Sequence, residues 1–237
     1  MSLRVASMLL AFLGLACVTP YDPFRVPAAD LRTRIDTIAL APFYMDGSLG
    51  DEDSLGEELE RMFTARLEAR GLRVLPMELM REVWRRTGSE VGALYDPKTG
   101  KVDSERREAV EDEVYRELAT AHEVDAILYS RVYLVDLYLV GSNVNLCGQK
   151  RRAYWGGDSF WGKATLVRGA CLGVVLCDME ERELYGIRAG IETVETYALQ
   201  TRARRPVAER FRNRAQLDQA VEAVVGPLAD GVGGSNR

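Results

Sequence analysis

The chain is short of the residues that most chemistry needs. It has one histidine, His122, so a Ser-His-Asp or Cys-His mechanism has a single residue to draw on. At a predicted helix end, His122 reads as a partly exposed cation favoured by the helix terminus. No CxxC pair occurs among the four cysteines, which removes the ligand spacing of a zinc site. Gly47, Gly50 and Gly56 form neither GxGxxG nor GK[ST], so no nucleotide cofactor is expected. Asp46, Asp51, Glu52 and Asp53 lack the spacing of a calcium loop. They read as a solvated turn and helix-start charges, and no metal is expected. No long basic tract is read from the chain, which argues against nucleic acid as a partner. Nor is there a run of the roughly twenty apolar residues that a spanning helix requires. No catalytic residue is assigned, and the chain is not expected to be an enzyme.

What is present begins at the first residues, MSLRVASMLLAFLGLAC. Arg4, the apolar run 8–15 and a small residue before the cut form a secretory signal. A cysteine at the cut, Cys17, resembles the start of a bacterial lipoprotein, in which that thiol receives a diacylglycerol anchor. Gly14-Leu15-Ala16 also satisfies the small-x-small rule of ordinary signal cleavage, which would leave Cys17 exposed and unlipidated. Val18 follows the cysteine in place of an aspartate, which resembles sorting to the outer membrane on its periplasmic face. The expected organisation is a signal peptide over 1–16, a lipidated cysteine and extended tether over 17–33, one α/β domain over 34–229 and a disordered tail over 230–237. Pro20, Pro23 and Pro27 support the tether.

The rest of the 237 residues, with a net charge of -5, suits one sizeable domain. The run IDTIALAPF over 35–43 reads as a strand buried on both faces, with Pro42 at its exit. Ser54 and Glu57 make a capping box ahead of an apolar stripe of Leu55, Leu59, Met62, Phe63 and Leu67. Gly71 closes that helix. A short strand over 72–75, helices over 77–86 and 104–121, and a long strand from Ala126 to about 140 follow. Strands over 163–179 and 183–197 form an antiparallel hairpin, and a last helix covers 210–228. The first three strands alternate with helices and so can lie parallel. The expectation is a single mixed sheet of about five strands, three parallel plus the hairpin, with helices on both faces.

Between the long strand and the hairpin lies GSNVNLCGQKRRAYWGGDSFWG, over 141–162. Arg151, Arg152, Tyr154, Trp155, Phe160 and Trp161 make this segment the candidate for partner binding, because exposed aromatics and arginine are enriched at interfaces. Of the three later cysteines, Cys171 and Cys177 stand six apart on one strand, about 20 Å, too far for a bridge. Cys147 could pair with either Cys171 or Cys177, or all three could stay reduced.

The order of these elements, with its landmark strings, resembles the envelope lipoprotein domains similar to CsgG, LpoB and the N-terminal domain of TolB. Their I-A-V-x-P-F strand is matched by Ile38-Ala39-Leu40-Ala41-Pro42-Phe43. Their LGE-headed helix is matched by Leu55-Gly56-Glu57 through Leu67 to Gly71. Their G-A-D-x-V/I string aligns with Glu123-Val124-Asp125-Ala126-Ile127. Their D-x-x-x-G turn keeps Asp178 but not the glycine. The resemblance implies a TolB N-terminal, anticodon-binding-like fold. It also implies a non-catalytic, membrane-anchored module that binds a periplasmic or envelope protein, in the manner of a peptidoglycan-synthase activator. The alternative it carries is a subunit of a CsgG-like oligomeric secretion channel.

Overall fold

The computed structural model describes residues 22–50, 52–92, 94–95, 99–139, 142–155, 164–198 and 201–232. Its elements run α1 (Ala28–Arg34), β1 (Thr37–Leu40), β2 (Tyr44–Met45), α2 (Glu52–Glu68), β3 (Arg73–Leu75), α3 (Met77–Val91) and α4 (Ser104–Ala121). There follow β4 (Ala126–Tyr138), β5 (Asn143–Leu146), β6 (Gln149–Arg152), β7 (Ala164–Asp178), β8 (Glu183–Ala198), β9 (Thr201–Arg204) and α5 (Arg214–Val232). The fold is mixed α/β. One sheet runs β3-β1-β4-β7-β8-β9, with β2 also paired to β4. β1 lies parallel to β3 and β4, whereas β4-β7, β7-β8 and β8-β9 are antiparallel.

The sheet therefore has seven strands, not about five. The two extra strands are short ones that composition conceals. Pro42 has no N–H to give, so the first strand stops at Leu40 and pairing with β4 resumes only at Tyr44 and Met45. β9 sits in an arginine-rich stretch whose pairing to β8 depends on tertiary neighbours. The segment expected as a loop over 141–162 also contains structure, the β5-β6 hairpin.

Every residue of β1 is buried, as expected of a strand covered on both faces. One face carries Phe63 and Leu67 of α2, Val224 and Leu228 of α5, and Leu31 of α1 on Ile38, Leu128 and Leu172. The opposite face carries Met80 and Val83 of α3 with Val110, Val114 and Leu118 of α4 on Ala39 and Ile127. Further along that second face, Val144 and Leu146 of the hairpin cover Val167, Cys171, Tyr133 and Val135.

Three local devices set this frame. The Asp125 carboxylate accepts from the amides of Asp36 (2.8 Å) and Thr37 (2.9 Å), which ties the start of β1 to the start of β4. Glu123 stands where the similar family has glycine, and its φ of 54° is the left-handed conformation that glycine adopts at no cost. In the β7-β8 turn, Asp178 accepts from the amides of Glu180 and Arg182 and pairs with the Arg182 side chain at 2.7 Å. The turn closes without the family's glycine.

Both ends differ from expectation. Instead of an extended tether to residue 33, the chain docks from Asp22 onward. Phe24 bridges Tyr185 of β8, their rings 5.1 Å apart, and α1 buries Leu31 against the core. The apolar spacing of Phe24, Leu31 and Ile35 outweighs the prolines. At the other end, α5 continues to Val232, beyond the expected boundary at 229. α2 begins at Glu52, two residues before the Ser54 of the expected capping box.

Candidate binding groove

Strand register places four residues in one row across the second face. Tyr44 of β2 pairs with Arg131 of β4, Arg131 with Gly173 of β7, and Gly173 with Arg188 of β8. The next row holds Tyr129, Val175 and Gly186, and the row beyond holds Tyr133, Cys171 and Gly190. These rows floor an open groove of about 1160 Å³, bounded on one side by Cys147, Gly148 and Gln149 at the tip of the β5-β6 hairpin. Tyr44 is 71% exposed.

Two glycines seat the hairpin that forms this wall. A Cβ on Gly190 would lie 2.2 Å from the Leu146 carbonyl oxygen, and one on Gly169 would lie 2.7 Å from the Leu146 side chain. Leu146 is fully buried there. Beside it a disulfide joins Cys147 to Cys171, with Cα atoms 6.3 Å apart. This is one of the two pairings left open by the sequence. Cys177 is free. Burial, with the charges of Glu183, Asp178 and Glu181, pushes its thiol up, so it is held protonated rather than nucleophilic.

The electrostatics of the groove are those of fixed positive charge. Among the described residues, neither the Arg131 nor the Arg188 guanidinium has a carboxylate partner. Arg131 lies 4.6 Å from the Tyr133 ring centroid, a cation–π contact that orients it without neutralising it. The one acid on the lining, Glu183, is taken by Arg25 at 3.0 Å. Tyr129 hydrogen-bonds the hydroxyl of Tyr115. Burial first, and that bond second, push the Tyr129 phenol far above its usual range. The groove thus offers cations and neutral phenol donors, a set suited to holding an anionic ligand rather than to exchanging protons.

On the opposite face the same strands carry a different row. Asp136, Arg168, Glu195 and Arg204 are aligned across β4, β7, β8 and β9. Arg168 grips Asp136 with two bonds, 2.7 and 2.9 Å, and this holds the Asp136 carboxyl below its usual range. Glu195, buried, receives Arg202 at 2.6 Å, Arg204 at 3.5 Å and the Tyr197 hydroxyl. Burial alone would raise its carboxyl. The bonds from Tyr197 and Arg202 and the charges of Arg202 and Arg204 outweigh that and lower it.

The structure separates the residues that the sequence singles out in 141–162, and one of them is corrected. Arg151 is not an exposed partner-binding residue: it is 6% exposed. Its Nε donates to the Ile191 carbonyl (2.7 Å), Nη2 to Gly190 (3.0 Å) and Nη1 to Gln219 (3.1 Å). It caps an edge of β8 that no strand covers there, which is why it is buried. Arg152 is exposed, its carbonyl accepting from Thr193. Tyr154 is half-buried, with the Arg205 guanidinium 4.4 Å from its ring centroid. Trp155 packs against the Val144-Leu146 cluster. Phe160, Trp161 and Cys17 lie outside the described residues. His122 caps α4 and stands 3.7 Å from Glu117. The groove residues were missed, although Tyr129-x-Arg131-x-Tyr133 carries a signal. Period-two spacing puts one arginine between two tyrosines on one face of an otherwise apolar strand.

No family model matches the chain, and no curated protein matches it. Among solved structures it is similar to the PelC dodecamer from Paraburkholderia phytofirmans, at 12% identity over 83% of this chain and 89% of that one, with a TM-score of 0.36. It is also similar to a neuraminyllactose-binding hemagglutinin homolog from Helicobacter pylori, at 9% identity over 89% and 87% of the two chains, with a TM-score of 0.35. Among the described residues, no helix is long and apolar enough to cross a membrane.

Proposed function

We propose that this protein is a lipoprotein of the cell envelope, anchored through Cys17 at the periplasmic face of the outer membrane, whose domain works by binding an envelope protein rather than by catalysis. The observation that carries this reading is the Tyr44-Arg131-Gly173-Arg188 row. Two uncompensated arginines among tyrosines on a rigid sheet have the composition of an interaction hot spot, and the phenol and thiol nearest them are held protonated. The landmark strings similar to the CsgG, LpoB and TolB domains support the same class. The runner-up, a ring-shaped secretion channel, would turn the long strands toward lipid. Against it stand the hairpin stapled over one face of their distal halves and the charged row on the other, which lipid would penalise.

The test is native mass analysis of the full-length protein, solubilised from membranes in detergent. An acylated species of low copy number supports the anchored module. A large closed ring overturns it in favour of the channel. An unacylated soluble species removes the anchor.

A further inference from the structure

We infer that the groove receives an extended, acidic segment of a protein, its carboxylates on Arg131 and Arg188 and its main chain against the open edge of β8. The inference rests on the binding-module reading and names the chemistry of the ligand.

Charge complementarity is the first argument. Arg131 and Arg188 stand two strands apart in one row, about 10 Å between Cα atoms, with only Gly173 between them. Nothing rises from the floor at that point. A guanidinium presents a planar fork that fits a carboxylate with two parallel bonds.

The edge of β8 is the second argument, and it separates a peptide from a small anion. The edge is stapled at two places. Near its start, the Arg25 amide donates to the Leu184 carbonyl and the Gly186 amide donates to the Pro23 carbonyl, both in antiparallel register. Further on, Arg151 covers the carbonyls of Gly190 and Ile191. Pro23 has no N–H, so the N-terminal segment cannot continue the ladder through that residue. Between the staples lies Arg188. Alternation along an antiparallel strand turns its amide and carbonyl outward, in the same sense as the Gly186 amide. Among the described residues, neither group has a partner. Arg188 therefore offers an extended chain two main-chain bonds, and its side chain offers a charge in the adjoining groove. That is the combination by which a sheet edge takes up a peptide.

The chain length outside the described residues bears on where the partner sits. Six residues separate Cys17 from Pro23 and span at most about 21 Å. With Cys17 in the membrane, Arg188, two residues along β8 from the Pro23 staple, stays near the bilayer. The acidic segment accordingly belongs to a membrane-associated protein.

The probe is a fluorescein-labelled deca-glutamate peptide, added to the full chain and followed by anisotropy. Saturable binding is expected, at least tenfold weaker in the R131Q/R188Q double variant and partly restored in R131K/R188K. Arg168→Gln, in the paired row on the other face, is expected to change affinity less than twofold. Gly173→Val keeps both charges but fills the floor, and it should weaken binding severalfold in protein whose circular dichroism is unchanged. No binding to the wild type, or equal binding by R131Q/R188Q, overturns the inference. So does binding of phosphatidylglycerol vesicles in preference to the peptide, which would assign the groove to the bilayer. The mass of the detergent-solubilised protein reports on the anchor independently, so an acylated protein that ignores the peptide breaks this inference alone.

Discussion

Two rows of side chains cross β4, β7 and β8, one on each face of the sheet, and they treat arginine in opposite ways. In the Asp136-Arg168-Glu195-Arg204 row, each charge meets its opposite on the neighbouring strand. In the Tyr44-Arg131-Gly173-Arg188 row, the place between the two arginines is held by glycine. Cross-strand pairs of opposite charge contribute roughly 0.2–1 kcal/mol each, so the first row stabilises the fold. The second forgoes that gain and leaves its cations available. The difference is one of partner, not of residue type, and it separates an arginine that builds the protein from one that waits for a ligand.

The comparison breaks most severely at the hairpin that walls the groove. Replacing Cys147 and Cys171 by serine opens a loop of sequence separation 24, and about 3 kcal/mol of stability should be lost. A urea titration of the reduced and oxidised wild type beside the double variant measures it, and peptide affinity should fall with the wall. Next comes Glu195→Gln. Three guanidinium groups converge on this buried carboxylate. Removing its charge should cost about 2 kcal/mol, less than for a fully buried network because Arg202 and Arg204 are half exposed.

Acid should dismantle the paired row and spare the open one. The carboxyls of Asp136 and Glu195 are held below their usual range. Their stabilisation is present above the unfolded carboxylate value of about 4 and is lost as pH falls through their lower folded values. Glu192, raised by burial against the hydrogen bond it accepts from Phe211, runs the other way. It takes up its proton in the folded state first, so acid favours folding through that group. Stability measured from pH 6 to pH 3 should therefore flatten in Asp136→Asn and steepen in Glu192→Gln.

The smallest effects on stability belong to the groove, and there they are informative. Arg131→Gln and Arg188→Gln should each change stability by less than about 0.5 kcal/mol, as for surface residues without partners. Gly173→Glu would copy the other row by setting a carboxylate between the two arginines. A Cβ there meets Tyr133 at 3.3 Å, so the ring must yield slightly. Stability should stay within about 1 kcal/mol of wild type while acidic-peptide binding disappears. If Gly173→Glu still bound the peptide, the glycine gap would have no part in recognition.

Much of the frame was legible because its signals are local. The continuous apolar run of β1, the stripes of α2 and α4, and the caps at Pro76 and Asp103 depend on residues within a few positions of one another. The hairpin inside 141–162 was not legible. Its strands are four residues each, and they hold only because Leu146 seats on Gly169 and Gly190, which lie twenty or more residues away. Arg151 was misread for the same reason. Its place in a basic triplet suggests exposure, whereas the edge it caps belongs to a strand forty residues later.

By itself, the sequence determined the signal-like start ending at Cys17, the alternation of strands and helices, the parallel first half of the sheet and which faces are apolar. Periodicity and chain-local sterics suffice for these. Only the tertiary structure decided that Cys147 joins Cys171 rather than Cys177, that residues 22–34 dock, and that Arg131 stands unpaired while Arg168 is gripped. Those outcomes depend on register between distant strands. A shift of one residue would carry every side chain to the other face, and no local pattern in the chain specifies which carboxylate an arginine will meet.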